Sequence, residues 1–243
     1  MDSSQASFQF TPIGVIHSCF KQRFGIPRQP GLVRGARASL ELFPPYDCAE
    51  AVAELEGFSH VWIVFVFHRV KRDQWRPTVR PPRLGGNRRI GVFASRSPYR
   101  PNPIGLSAVR LEGMVEEGGK RLLRLGGVDL LDGTPVLDIK PYLPYGDAIP
   151  NARAGYAQGA PAAPLAVSFS DEAEADIAAA EAAHPGLREL IAQLLAANPR
   201  PAYQADGSPR SRFGMRLWDY DVQWRMTEEG VRVTGLVQLP PDD

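Results

Sequence analysis

Residues 93–107 read Phe-Ala-Ser-Arg-Ser-Pro-Tyr-Arg-Pro-Asn-Pro-Ile-Gly-Leu-Ser. No packing rule asks for two arginines, an asparagine and three prolines between two apolar strands. The prolines fix φ and withhold backbone donors, so the segment is stiffened without joining a sheet, and Gly105 permits a close or left-handed backbone approach. Such a loop holds polar atoms at fixed positions, and the side chains of Arg96, Arg100 and Asn102 suit a charged or polar ligand.

Three further islands share this style. Phe24-Gly25-Ile26-Pro27-Arg28-Gln29-Pro30-Gly31 is a turn with Arg28 and Gln29 free for polar contacts. Phe67-His68-Arg69 leaves the end of an apolar strand, where a side chain faces a cleft from a rigid backbone. Residues 129–142 place Asp129, Asp132, Asp138 and Lys140 around a turn and the next strand. Each alone has an ordinary reading: the turns as turns, His68 as a strand-end histidine, and Asp138 with Lys140 as a same-face pair two residues apart. Only their combination reads as a site. Dinucleotide, phosphate-loop, zincin and nucleophile-elbow motifs are all absent, which disfavours the common nucleotide-binding and hydrolase scaffolds.

The elements that must position these islands are mainly β. With 243 residues, 44% of them hydrophobic, the chain can bury a substantial core. Short β-branched and aromatic runs punctuated by Gly and Pro predict strands at Phe10–His17, Ala36–Leu42, Val61–Phe67, Ile90–Ala94, Leu106–Val115, Arg121–Val128 and Val136–Pro141. The unbroken apolar run Val61–Phe67 predicts a central strand buried on both faces. Asp47 is expected to cap a helical stretch over Cys48–Leu55. After an Ala, Gly and Pro-rich link at 151–164, Ser170 is the expected cap of a helix over 171–182, followed by a second helix over 185–196. Strands at 202–204, 213–226 and 231–238, with a turn at Glu229-Gly230, complete the reading. The division is residues 1–150, a linker 151–164, and a small α+β part 165–243.

The formal net charge of +1 conceals segregation. Between Arg69 and Arg110 stand eleven Lys/Arg against Asp73 alone, while residues 171–181 carry five acids and no base. A local anionic partner is expected, with RNA the leading candidate. Cys19 and Cys48 form neither a disulfide framework nor a zinc site, and no segment reads as a signal peptide or membrane span. The expectations are therefore a cytoplasmic protein with no metal and no membrane partner.

The runs at 97–107, 24–32 (Phe-Gly-Ile-Pro-Arg-Gln-Pro-Gly-Leu) and 137–142 (Leu-Asp-Ile-Lys-Pro-Tyr) together resemble the TrmO family, as do Asn-Pro-Arg-Pro-Ala-Tyr at 198–203 and Phe-Gly-Met-Arg-Leu-Trp-Asp-Tyr at 213–220. The resemblance implies an N-terminal β-barrel unrelated to doubly wound methyltransferases. It also implies transfer of a methyl group from S-adenosylmethionine to N6 of threonylcarbamoyladenosine, at position 37 of the tRNA anticodon loop, by a homodimer.

On that resemblance, the cofactor residues are Pro27, Arg28, Gln29, Phe67, His68, Arg69, Arg96, Leu106, Asp129, Leu130, Leu131 and Asp132. The catalytic and substrate side comprises Arg100, Asn102, Asp138, Lys140, Tyr142, Asp147 and Tyr220, with Asp138 as base and Lys140 as partner of the threonyl carboxylate. Methyl transfer from a sulfonium needs no metal, so alignment and proton removal are the protein's tasks. The alternative is a non-catalytic module that senses S-adenosylmethionine or grips RNA.

Overall fold

A computed structural model describes residues 7–70, 75–84, 86–159, 164–200 and 212–240. The strands are β1 (Gly14–Ser18), β2 (Arg37–Leu42), β3 (His60–Val66), β4 (Thr78–Val79), β5 (Ile90–Gly91), β6 (Ile104–Glu117), β7 (Lys120–Gly126) and β8 (Pro135–Pro141). There follow a single helical turn α1 (Pro144–Asp147), β9 (Val167–Phe169), α2 (Asp171–Ala180), α3 (Leu187–Ala196), β10 (Arg212–Leu217), β11 (Tyr220–Thr227) and β12 (Gly230–Gln238).

Six strands, in the order β1-β2-β7-β6-β3-β8, pair antiparallel around a closed ring, which leaves no sheet edge to protect. Alternation along the strands fills the interior. Val61, Ile63 and Phe65 of β3 meet Leu40 of β2, Leu123 and Leu125 of β7 and Val136 of β8 in one buried cluster. β6 runs for 14 residues around the ring because the register shifts between Leu111 and Gly113, and Gly113 takes the φ of +136° that this bulge requires.

Tight contact between β3 and β6 fixes the wall beneath the proline-rich loop. Phe65 pairs with Gly105, and a Cβ at Gly105 would overlap the Phe65 ring. The glycine is thus required for close approach, not for a left-handed backbone. The Phe65 ring in turn meets Phe67 edge-on at 5.0 Å.

A second sheet, β10-β11-β12-β9, packs against α2 and α3 through Ile177, Leu190, Leu194, Met215, Val222 and Val233. Ser170 caps α2 as expected, accepting a hydrogen bond from the Ala173 amide at 3.2 Å. The two sheets are joined at Phe20, which is buried and bridges Leu217, and by the Trp218 amide donating to the Cys19 carbonyl at 2.8 Å.

Several sequence expectations are corrected. β3 is buried on one face only; Trp62, Val64 and Val66 face outward and remain half-buried. Ile90–Ala94 is a two-residue strand followed by a 3-10 turn, Val92–Ala94, held by the Ser95 amide and hydroxyl on the Val92 carbonyl. Cys48–Leu55 breaks into two 3-10 turns, Glu50–Val52 and Leu55–Gly57, because Glu54 adopts φ 63°, and Asp47 caps neither. Residues 213–226 form a hairpin, not one strand. Its turn is Trp218-Asp219, with Trp218 at φ 50° while its ring stacks on His184 at 4.2 Å, a tertiary contact that no local turn signal announces. The strand expected at 202–204 lies outside the described residues.

Gly105→Ala should lower unfolding free energy by about 1–3 kcal/mol in a urea titration, as expected for overpacking. Phe65→Leu in the same chain should recover part of that loss.

Candidate active site

A cleft of about 450 Å³ opens where the C-terminal end of β3, the N-terminal end of β6 and the turn before β8 meet. Each wall is delivered by one sequence island. Residues 26–29 form one rim, 67–69 leave the end of β3, 95–107 supply the proline-rich loop and the start of β6, and Asp129, Leu131 and Thr134 form the floor.

The loop is held by its own polar groups. The Arg100 guanidinium donates to the Ser95 and Ser97 carbonyls at 3.1 and 3.3 Å, the Ser97 amide donates to the Ser95 hydroxyl at 3.2 Å, and the Phe67 amide donates to the Pro103 carbonyl at 2.8 Å. Arg100 therefore staples the loop as well as facing the cleft. Arg96 donates to the Gln29 side chain, tying the loop to the first island.

The lining carries five arginines, at 23, 28, 69, 96 and 100, against one carboxylate, Asp129. Such a cleft favours anionic groups except at that one point. The Ser107 hydroxyl, itself buried, donates to the Asp129 carboxylate. Burial pushes the Asp129 carboxyl up to about 6, against the Ser107 hydrogen bond and the nearby Arg96 charge, which favour ionisation. Burial also lowers the His68 pKa, helped by the Arg69 charge, so His68 favours its neutral form. Arg28 is held by the far end of the chain: its Nη2 donates to the Arg200 carbonyl at 2.9 Å, and burial lowers its pKa.

Of the expected cofactor residues, Pro27, Arg28, Gln29, Phe67, His68, Arg69, Arg96, Leu106, Asp129 and Leu131 line the cleft. Leu130 and Asp132 stand behind it. The Leu130 carbonyl accepts the Ser18 hydroxyl at 2.8 Å, and Asp132 accepts the Ser18 amide at 2.8 Å and pairs with Lys21 at 2.6 Å.

On the substrate side only Arg100 reaches the lining. Asn102 is exposed on the loop. Asp138 and Lys140 sit on the outer barrel wall, ion-paired at 2.9 Å and in register with Val64 and Trp62 of β3. Tyr142 packs on Trp62 with ring centroids 5.6 Å apart. Asp147 accepts the Leu143 amide at 2.7 Å, and Tyr220 meets His184 edge-on at 5.8 Å in the second part of the chain; neither lines the cleft.

Sequence reasoning missed Trp62, Phe65, Ser107 and Thr134 as lining residues. Ser107 carried a usable signal, since Gly105, Ser107 and Val109 share the inward face of β6 and a buried hydroxyl there needs a partner.

The family model of the tRNA-methyltransferase O N-terminal domain matches residues 15–148, and that of the TrmO C-terminal domain matches residues 162–239. The chain belongs to the tRNA-methyltransferase O family. It is 52% identical over 231 residues to tRNA (adenine(37)-N6)-methyltransferase of Escherichia coli K12, covering 95% of this chain and 98% of that one. Mouse tRNA (adenine(37)-N6)-methyltransferase is 48% identical over 134 residues, which span 54% of this chain and 30% of that one. A crystal structure of TrmO from Pseudomonas aeruginosa superposes with a TM-score of 0.78 at 43% identity, covering 96% of this chain and 99% of that one. Family membership agrees with the TrmO motifs read from the loop at 97–107.

The residues present fit S-adenosylmethionine. A cleft of this volume suits a ligand of its size. Asp129 offers a half-buried acceptor, Arg28 and Arg96 offer donors for a carboxylate, and Leu106, 53% exposed, with Ile104 and Phe67 offers an apolar wall for a planar ring. No helix among the described residues is long and apolar enough to cross a membrane.

The raised Asp129 pKa has a stability consequence. The folded protein holds this proton more tightly than the unfolded chain, so ionisation destabilises the fold as pH rises from about 4 to about 6. Asp129→Asn should therefore be more stable than the parent by about 1–3 kcal/mol at pH 7, with the difference vanishing below pH ~4. Denaturant titrations at the two pH values check this.

Proposed function

We propose that this chain is an S-adenosylmethionine-dependent tRNA (adenine-N6)-methyltransferase acting on threonylcarbamoyladenosine at position 37 of the anticodon loop. The observation that carries the reading is the convergence of Arg28, Phe67, His68, Arg96, Leu106 and Asp129 on one cleft. These residues come from four separated segments and have no common structural task.

When bound, S-adenosylmethionine supplies an electrophilic methyl group whose leaving group is a neutral thioether. Arg28 and Arg96 would hold its carboxylate, and Asp129 would accept from its amino or hydroxyl groups. The backbone and side chain of Leu106 would flank its adenine. Asp138 takes the proton from the urea-like acceptor nitrogen on the outer wall beside the cleft. Lys140, held at 2.9 Å from Asp138, also faces the threonyl carboxylate. The acceptor base lies in a single-stranded loop and can be splayed out, while the basic stretch at 69–110 holds flanking phosphates.

The exposed apolar side chains Ile104 and Leu106 at the cleft, with exposed Phe93 at the start of the same segment, support a homodimer that covers them. Residues 165–243 grip tRNA or support assembly, and the reaction is cytoplasmic.

The direct test incubates the protein with labelled S-adenosylmethionine and tRNA that bears or lacks the threonylcarbamoyl group, followed by nucleoside digestion. Label should appear only in the modified tRNA; no incorporation would reject the enzyme reading and favour the sensor. Arg96→Met should weaken S-adenosylmethionine binding about 10- to 100-fold by calorimetry. Asp138→Asn should bind both ligands normally and lower kcat roughly 10²- to 10⁴-fold; near-normal turnover would remove Asp138 from the base role.

A further inference from the structure

The cleft draws on both faces of the β3–β6 pair. From the inward face comes a polar pair, the Ser107 hydroxyl on the Asp129 carboxylate, level with Ile63. Trp62 lines the cleft from the outward face of β3, with Leu106 on the same face opposite Val64.

What surrounds Trp62 on the outward face differs in kind from that inward polar pair. Tyr142 packs on it at 5.6 Å and 44°, and His60 continues the row at 6.3 Å from Tyr142. In register on the same outward face lie Lys140 on one side and Ala108 on the other. Lys140 is exposed, and the Trp62 and Tyr142 rings are half-buried, so part of each ring meets solvent. A row of partly exposed aromatic rings beside a lysine is suited to a planar, electron-rich group carried on an anionic backbone.

We propose that Trp62, backed by Tyr142, is a stacking platform for an unpaired tRNA base that flanks the methylated adenine. The inference rests on the tRNA methyltransferase reading and adds a residue to its substrate side. A target base pulled toward Asp138 leaves its neighbour in the loop unstacked. Trp62 lies two residue pairs further along the wall from the Val64–Asp138 pair and on the same face, within reach of that neighbour. Stacking of this kind tolerates any base, so the platform serves affinity and positioning, while base identity is read elsewhere.

The test compares the parent chain with Trp62→Leu and Trp62→Phe, using anticodon stem-loop RNAs that carry 2-aminopurine on either side of the target adenosine. In the parent, fluorescence of one of the two probes should be quenched on binding. In Trp62→Leu the quenching should disappear and RNA affinity fall about 5- to 100-fold, with S-adenosylmethionine affinity unchanged. Trp62→Phe should keep most of both, which separates stacking from a folding defect. Unchanged RNA affinity and quenching in Trp62→Leu would overturn the proposal. A loss of S-adenosylmethionine affinity would also overturn it by making Trp62 a cofactor contact, and dissociation to monomers in sedimentation would do so by making this face a subunit interface. Failure of the parent itself to bind or methylate tRNA would reject the underlying reading, a result distinct from any of these.

Discussion

The pairing of β3 with β6, closed at the contact between the Phe65 ring and Gly105, is the constraint on which the rest depends. It sets the distance between the two most chemically loaded segments of the chain. β3 ends in Phe67, His68 and Arg69, and β6 begins at the end of the proline-rich loop, so antiparallel pairing brings them to the same end of the barrel. The Phe67 amide on the Pro103 carbonyl then locks the loop to the strand. Any side chain larger than hydrogen at position 105 would overlap the Phe65 ring, which itself lines the cleft that the two segments share.

From that frame follow both the polarity and the division of the site. Inward positions at the barrel mouth hold buried Ser107 beside half-buried Asp129, and each satisfies the other. Outward positions on β3 and β8 hold Trp62, Asp138 and Lys140, which meet solvent and suit a large, mobile substrate. Arginines crowd the rim between the two. Arg100 is partly consumed in holding its own loop, whereas Arg28 is anchored by backbone carbonyls near the end of α3, so the second part of the chain helps to shape the rim of the first.

Much of this was legible in the sequence, for identifiable reasons. Prolines 98, 101 and 103 and the paired arginines are so poorly explained by packing that they announced a loop under functional constraint, and ten of the twelve residues expected at the cofactor site line one cleft. The Ser170 cap was readable because its chemistry is local. The Trp218-Asp219 turn was not, since it depends on a stack with His184 more than thirty residues away in sequence. The outer face of β3 was misread for a related reason. An apolar face that lines a ligand cleft looks, in one dimension, like a face buried in a core, and so Trp62 was hidden in an apparent core strand. Leu130 and Asp132 share the turn with cleft residues, but the Leu130 carbonyl accepts from Ser18 and the Asp132 carboxylate pairs with Lys21.

The central claim is that these converging residues hold the methyl donor. It is tested most directly by a crystal structure of the protein with S-adenosylhomocysteine. The account predicts ligand density in the cleft, with the carboxylate beside Arg28 or Arg96, a polar ligand atom on the Asp129 carboxylate and the adenine against Leu106. Ordered ligand elsewhere on the barrel, with Arg96 and Asp129 untouched, would contradict it.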